Sequence, residues 1–277
     1  MERKSGVIPT ILKYAIMLLM LMITVYPVIW MVLGSLKDNS EFYNNIWGIS
    51  ASPQFQNYSQ AWVDAKLSTK YFNSILNLIL FLAIMLPVNT CASYAVARLN
   101  FRFKKAIYAY LLAGIMIPSG VLAIPTFSVL MRFGLVNTRF GLVLVCVAQS
   151  IAFGMFIMRS FFISLPKGLE EAAMIDGCSR FKSFIFIILP LALPGLMTQI
   201  IYNGLTFWNE YLMSSVILRS EELYTLPLGL AVFMGQHNIN YPELFAVLVC
   251  STMPMILLYL AGQKTFMEGI TAGSIKG

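Results

Sequence analysis

The chain has 277 residues, of which 58% are hydrophobic and only 11% are charged, and its mean hydropathy is +0.76. Soluble domains carry about 25% charged residues, so this composition excludes an ordinary soluble protein and indicates a membrane protein. The net charge of +7 does not indicate a nucleic-acid-binding protein, because the basic residues are scattered between apolar runs and form no stripe.

Six apolar runs are long enough to cross a bilayer, since a helix that spans about 30 Å of hydrocarbon needs about 20 residues. We predict spans at roughly 14–36, 73–97, 106–131, 141–163, 184–208 and 244–263. The first run is longer than the apolar core of a signal peptide, so we expect an uncleaved span. In the fifth run, Pro190, Pro194 and Gly195 predict a kink or a late start.

The basic residues predict the orientation of these spans. If the N-terminus is inside, the cytoplasmic segments hold 13 Lys and Arg residues and the opposite side holds 6. The positive-inside rule therefore places both termini in the cytoplasm. Two outer segments are long: we predict that residues 37–72 form an ordered cap and that part of 209–243 dips back as a short helix.

The polar loop at 164–183 has the signals of a short, sharply ended helix. Pro166 can start a helix, because its missing N–H would be unsatisfied there anyway. Acidic side chains in the early turns favour the positive end of the helix dipole, and Glu170 and Glu171 lie there. We expect about two turns from Leu169 to Asp176. Gly177 is placed to end the helix in a left-handed conformation, and Ser179 can cap the next segment.

The order of residues in this loop is more specific than its helix signals. The sequence at 171–190 reads EAAMIDGCSRFKSFIFIILP, with Gly177 at a fixed distance from the Glu-Ala-Ala triplet and from Leu189 and Pro190. This resembles the EAA loop of ABC-importer membrane subunits, the part that docks onto an ATPase. The resemblance implies an ATPase-coupling role for Glu170, Glu171, Ala172, Ala173, Asp176, Gly177, Leu189 and Pro190. An ordinary amphipathic surface helix between two spans is the alternative.

The end of the chain resembles one particular group of these importers. The residues GITAGSIKG at 269–277 resemble the tail of the shorter membrane subunit of maltose-type carbohydrate importers, in which the ending is close to Gly-Leu-Thr-Ala-Gly-Gly-Val-Lys-Gly. The departures from that pattern are Ile270, Ser274 and Ile275. The resemblance implies an ATPase-facing tail that includes Gly269, Thr271, Ala272, Gly273, Lys276 and Gly277. The pieces NSILN at 73–77, ASYAVARLNFRFK at 92–104 and FWNEYL at 207–212 are also similar to this family.

The resemblance implies an all-α membrane protein with six transmembrane helices, the transmembrane domain of a type I ABC importer. It also implies the partners: a second homologous permease subunit, two copies of an ATPase subunit that bind ATP and Mg, and an extracytoplasmic solute-binding protein. The chain has no GxxxxGK[ST] loop for phosphate. We expect no catalytic or metal-binding residues, because the four cysteines show no ligand spacing and His237 has no partner motif.

Polar side chains within the predicted spans are candidates for a sugar pathway, since they are costly in hydrocarbon unless they face a cavity or another helix. In the fifth span and just after it, these are Gln199, Tyr202, Asn203, Trp208, Asn209 and Glu210; Asn77, Asn89 and Gln149 lie in earlier spans. Bonding between helices is the commoner role of such residues. Two other functions stay open: an importer for peptides or amino acids, and an ion-coupled secondary transporter, which the lack of charged residues in the confident span interiors disfavours.

Overall fold

The computed structural model describes the backbone of residues 7–235 and 240–274, and these residues contain helices and turns but no β-strand. The α-helices are α1 (Val7–Ser35), α2 (Asn39–Asn44), α3 (Gln56–Asp64), α4 (Leu67–Arg98), α5 (Lys104–Ala113), α6 (Ala123–Arg132), α7 (Arg139–Ser164), α8 (Gly168–Ile175), α9 (Arg180–Ser183), α10 (Leu189–Leu191), α11 (Leu193–Trp208), α12 (Leu212–Ile217), α13 (Leu226–Met234) and α14 (Tyr241–Ser274). Short 3₁₀ helices occupy Gly114–Met116, Ser119–Leu122 and Glu221–Leu223, and a π-helix occupies Phe184–Ile188. The all-α prediction is confirmed.

Helices lie at all six positions where spans are predicted. Three of them are long and apolar enough to cross a membrane unbroken, namely Thr10–Ser35, Leu67–Arg98 and Arg139–Ser164. Two further candidates are bent pairs, Lys104–Met116 with Ser119–Arg132, and Arg180–Leu191 with Leu193–Trp208. A shorter apolar helix at Tyr241–Leu257 corresponds to the sixth run. The number of spans therefore stays a prediction.

The third run, 106–131, is divided into two helices that meet at 96°. The break falls at Pro118, which cannot donate to a helical hydrogen bond and which disfavours the helical conformation in the residue before it. Ile117 accordingly has an extended backbone, with φ −93° and ψ 115°. The hydropathy of this run indicates a single span, and the break was not predicted.

The fifth run bends by 71° between Leu191 and Leu193, which confirms the kink predicted from its prolines. Its first part is irregular, because the π-helix at Phe184–Ile188 is followed by the three-residue helix α10. A π-helix is rare, occurs mostly as a single wide turn and is often found at functional sites.

The chain divides into two compact units, Met1–Ser68 with Leu230–Pro254, and Thr69–Gly229 with Met255–Gly277. Within the first unit, Phe42 stacks on Tyr241 with ring centroids 5.5 Å apart. The buried amide of Asn57 donates to the backbone oxygens of Ser35 and Lys37 at 2.9 and 2.8 Å. The segment after α1 is therefore ordered as two short helices, α2 and α3, rather than as a loose linker.

The core of the second unit forms where α4, α7 and α11 pack against one another. Phe81 of α4 stacks on Phe207 of α11, with ring centroids 4.5 Å apart. At the middle of α7, Gly154 lets two buried amides approach its backbone: the Nε2 atom of Gln199 donates to the Gly154 oxygen at 2.6 Å, and the side chain of Asn89 lies where a Cβ atom would be. This unit contains the loop at 164–183 and the polar residues of the fifth run.

Candidate functional site

We call residues 164–183 the coupling loop and α8 the coupling helix. The coupling helix extends from Gly168 to Ile175, one residue earlier than predicted, and ends in a Schellman motif. The N–H of Cys178 donates to the oxygen of Ala173 at 2.9 Å, and the N–H of Gly177 donates to the oxygen of Met174 at 3.2 Å. Gly177 has φ +84°, so the predicted left-handed glycine is confirmed.

The segment after this turn is also capped as predicted. The Ser179 hydroxyl accepts a hydrogen bond from the N–H of Lys182 at 3.3 Å, which begins α9. Helix α9 leads directly into the π-helix. The coupling helix is therefore connected to the fifth membrane run by a turn whose backbone groups are hydrogen-bonded rather than by a free linker.

The coupling helix buries Ala173 and leaves three large apolar side chains exposed. Ala173 is 5% exposed, whereas Met174 is 39% and Ile175 is 85% exposed. Leu169 is also exposed, at 37%. Large apolar side chains on an exposed polar loop are typical of a protein-docking surface.

The two neighbouring glutamates of the coupling helix differ in their side-chain contacts. The Tyr94 hydroxyl donates to Oε1 of Glu170 at 2.7 Å, and the Nε atom of Arg98 lies 3.6 Å from its Oε2. The Glu171 side chain is exposed. Sequence reasoning missed Tyr94 and Arg98, although both lie in the family-like piece at 92–104.

A cavity of about 250 Å³ lies beside these residues, between the end of α4 and the coupling loop. Its wall includes Lys104, whose Nζ atom donates to the backbone oxygen of Leu99 at 2.8 Å and so caps the end of α4. Glu170 and Glu171 both line it, with Lys167 and Arg180. Four charged side chains of the coupling loop therefore share one cavity.

The remaining predicted coupling residues belong to the coupling loop, the fifth run or the tail. Asp176 is the C-cap of the coupling helix, and Leu189 and Pro190 begin α10. The backbone of the predicted tail residues Gly269, Thr271, Ala272 and Gly273 is helical, within α14, and their side chains lie outside the description. Lys276 and Gly277 lie outside the described residues.

Several predicted pathway residues meet at a second cavity, of about 150 Å³, between α4, α7 and α11. Its lining includes Gln149, Tyr202, Asn203 and Glu210, together with Phe81, Cys146, Ser150, Phe153, Thr206 and Phe207. The rings of Phe153 and Tyr202 are 4.3 Å apart. The Nδ2 atom of Asn203 is buried and has no hydrogen-bond partner among the residues that the structure describes. The cavity thus combines flat aromatic faces with a buried amide donor.

Glu210 also lines this cavity and lies just beyond the end of α11. Burial raises the pKa of its carboxyl above the ordinary value, and the N–H of Met213, which donates to Oε1 at 2.6 Å, opposes that rise. The protonated form of Glu210 is therefore favoured more than in an exposed glutamate.

Three predicted pathway residues do not line this cavity. Gln199 is fully buried and holds α11 to α7 through its bond to Gly154. Trp208 packs near Tyr71, with ring centroids 6.5 Å apart, and Asn209 donates to the oxygen of Leu205 at 2.8 Å. Their observed contacts are those of helix packing and of a helix end. Among the described residues, no group of three His, Cys, Asp or Glu side chains could hold a metal ion.

Comparison with known proteins agrees with these features. Residues 89–266 match the family of binding-protein-dependent transport system inner membrane components. The diacetylchitobiose uptake system permease protein NgcG of Streptomyces coelicolor is 31% identical, over 96% of this chain and 88% of the relative. The trehalose/maltose transport system permease protein MalG of Thermococcus litoralis is 32% identical, over 94% of each chain.

The fold is also that of a solved transporter. The crystal structure of a bacterial ABC transporter involved in the import of the acidic polysaccharide alginate contains a chain with a TM-score of 0.86 and 24% identity. The likeness covers 96% of this chain and 99% of that one. The predicted fold, an importer transmembrane domain, is thereby confirmed. With this fold and a match that includes the whole coupling loop, the chain belongs to the family of inner membrane components of binding-protein-dependent transport systems.

Proposed function

We propose that the chain is a permease subunit of an ATP-driven importer for sugars or oligosaccharides, in which it forms half of the translocation pathway. The observation that carries the proposal is the coupling helix, which presents exposed Leu169, Met174 and Ile175 on a rigidly ended loop between two apolar runs. The named relatives support the substrate class, because their names specify diacetylchitobiose, trehalose and maltose.

The proposed assembly places two ATPase subunits, with their ATP and Mg, on the cytoplasmic side, against the coupling helix and the tail at 269–277. Both termini of the chain lie on that side, as the distribution of basic residues indicates. A second, homologous permease completes the pathway, and a solute-binding protein delivers the sugar from outside. In the most apolar stretch of 18 residues in α1, no residue is buried within the chain, so lipid and the second permease would cover it.

The coupling helix would act as a rigid lever. When ATP binding closes the ATPase dimer, the surface on which Met174 and Ile175 sit moves, and the helix moves with it. The hydrogen-bonded turn at Gly177 passes that displacement to α9 and the fifth run instead of absorbing it. In this mechanism the chain performs no chemistry itself and does not bind ATP.

The second cavity is the proposed contact with sugar. A sugar ring presents hydroxyl groups at its edge and C–H groups on its faces. The amides of Asn203 and Gln149 can bond to hydroxyls, and Phe153 and Tyr202 can pack on a ring face. Asn203 is the most informative of these residues, because its buried Nδ2 donor is unpaired within the described structure.

The assembly is tested by purifying the tagged chain in mild detergent and identifying the proteins that accompany it. A second permease and an ATPase with a Walker A motif support the proposal, and a chain that runs alone under conditions that preserve complexes contradicts it. The purified complex, placed in liposomes with ATP inside and the binding protein outside, is then given a panel of sugars, peptides and amino acids. ATP-dependent sugar uptake is expected. Uptake of peptides or amino acids instead would show that these, and not sugars, are the substrates. Uptake driven by an ion gradient would overturn the mechanism.

The cavity is tested by comparing Asn203→Ala with Asn209→Ala. A single hydrogen bond contributes about 0.5–1.5 kcal/mol, so Asn203→Ala is expected to raise the KM for uptake by roughly 2–10-fold. Asn209→Ala is the matched control, because that amide bonds only to its own helix in the described structure. Equal KM values for the two variants would contradict the assignment of this cavity to the sugar.

A further inference from the structure

Helix α4 is attached to the coupling helix by side chains, although 69 residues lie between the end of α4 at Arg98 and the start of α8 at Gly168. Tyr94 and Arg98 lie one turn apart at the end of α4, and both contact Glu170. We call these three side chains the Glu170 latch. The latch is therefore a direct contact between two helices that are distant in the chain.

The latch is a largely buried contact rather than an ion pair on the protein surface. The Arg98 side chain is 4% exposed and the Glu170 side chain 13% exposed. The Tyr94 hydroxyl donates to Oε1 and the Arg98 guanidinium faces Oε2, so each carboxylate oxygen has its own partner. A hydrogen bond to a charged group is stronger than one between neutral groups, and a buried carboxylate left without partners is costly.

Arg98 also holds the chain at the entry to the coupling loop. Its Nη2 atom donates to the backbone oxygen of Leu165 at 2.6 Å, and Leu165 is the C-cap of α7. One guanidinium therefore joins the last turn of α4, the end of α7 and the coupling helix. Arginine suits this position because its planar, always charged guanidinium can donate to the Leu165 oxygen while its charge stays beside the Glu170 carboxylate.

The ring of Tyr94 contacts the segments on both sides of the coupling loop. It lies 5.7 Å from the ring of Phe162, in the last turns of α7, and 4.3 Å from the ring of Phe184, at the start of the π-helix. All three side chains are buried. The end of α4 is thus fitted between the entry and the exit of the coupling loop, with the coupling helix fastened to it through Glu170.

We propose that Tyr94 and Arg98 are positioning residues that make α4 move together with the coupling helix, so that ATPase movement reaches α4 as well as the fifth run. This inference rests on the proposed function. It assigns different contacts to the two adjacent glutamates: Glu170 faces α4, whereas the exposed Glu171 faces the ATPase. It also gives a reason for the family-like sequence around Tyr94 and Arg98, to which the sequence analysis assigned no role. Motion of α4 matters for transport because Phe81 of that helix lines the sugar cavity.

The first test measures whether α4 and α8 remain one body during the ATPase cycle. Two cysteines carry spin labels: Cys91, which is exposed on α4, and a cysteine introduced by Ala172→Cys on the exposed side of α8. The other cysteines are replaced by serine. In the reconstituted complex, the distance between the labels is expected to stay the same with and without trapped ATP. In Tyr94→Phe and Glu170→Ala, loss of a hydrogen bond to a charged group is expected to favour the open latch by about tenfold, and the distance should broaden or change.

The second test measures the sugar transported per ATP hydrolysed. Tyr94→Phe removes one hydroxyl and is expected to lower this ratio while uptake still requires ATP. On a Glu170→Ala background, Tyr94→Phe should have no further effect, because the acceptor is already gone. On a Glu171→Ala background, it should have its full effect. Size-exclusion profiles and copurified ATPase verify that each variant is assembled.

The outcomes separate this inference from the proposed function. If no ATPase accompanies the wild-type chain, the proposed function fails and the inference fails with it. If the wild type transports sugar while Tyr94→Phe and Glu170→Ala keep a normal transport ratio and an unchanged label distance, only the latch is overturned. Additive effects of Tyr94→Phe and Glu170→Ala on the ratio would likewise show that the two side chains do not act through each other.

Discussion

Gly177 is the position where a small substitution tests the lever mechanism most directly. It has φ +84°, and a Cβ atom added there would meet no other atom within 4 Å. A substitution therefore changes the backbone preference without creating a clash at Cβ. The left-handed conformation costs an L-residue roughly 1–2 kcal/mol, with Asn better tolerated than other residues.

This cost is large enough to affect coupling and too small to unfold a membrane domain. About 1–2 kcal/mol corresponds to a factor of roughly 5–30 in the population of the native turn. Gly177→Ala is expected to lower the sugar transported per ATP accordingly, and Gly177→Asn is expected to lower it less. Gly177→Leu has the same backbone cost and adds bulk next to the docking surface, so we expect it to uncouple transport while insertion in the membrane stays normal.

The assay is uptake and ATP hydrolysis, measured together in liposomes that contain the reconstituted complex. Gly168→Ala is the matched control, because Gly168 lies at the start of the same helix, also has open space at Cβ, and has a φ outside the left-handed region. The control is expected to transport normally, since alanine favours the helix more than glycine does. Wild-type transport ratios in both Gly177→Ala and Gly177→Leu would refute the argument that the turn transmits force.

Three further predictions concern packing, ionisation and the tail. Gly154→Ala would place a Cβ atom 2.0 Å from the Asn89 amide nitrogen, and such overpacking costs typically about 1–3 kcal/mol, so we expect a lower melting temperature that Asn89→Ala restores. Because burial raises the pKa of Glu210, its ionised form destabilises the fold as pH rises through that pKa; Glu210→Gln should therefore raise the melting temperature more at about pH 8 than at about pH 5. Deleting residues 269–277 should lower uptake with little effect on membrane insertion, and unchanged uptake would show that the tail is dispensable.

The coupling loop could be predicted from the sequence because its structure is local. Proline at the start, small residues in the middle and glycine at the end each act on the backbone within a few residues of themselves. The Schellman turn at Gly177 and the cap at Ser179 follow from such preferences, and the structure has both. The error was a shift of one residue in the bounds of the helix, which is the least determined property of a helix.

The parts that the sequence did not predict depend on contacts between distant segments or on a break inside an apolar run. Hydropathy alone treats 106–131 as one span, since an average over the run is insensitive to the single proline at which it turns. Gln199 looked like a pathway residue because it is polar and lies in a span. Its actual partner, the oxygen of Gly154, is 45 residues away and becomes visible only when α7 and α11 are packed.

The contrast between Glu170 and Glu171 shows why a motif does not by itself assign one role to all its residues. Adjacent positions on a helix differ by about 100° in direction, so two neighbouring glutamates cannot serve the same surface equally. Burial of Ala173 fixes which face of the coupling helix lies against the membrane domain, and Glu170 lies three residues before it, on that same face. Glu171 and Ile175, four residues apart, share the exposed face. The motif therefore contains two contacts of different kinds: one that fastens the coupling helix to α4 and one that is available to a moving partner.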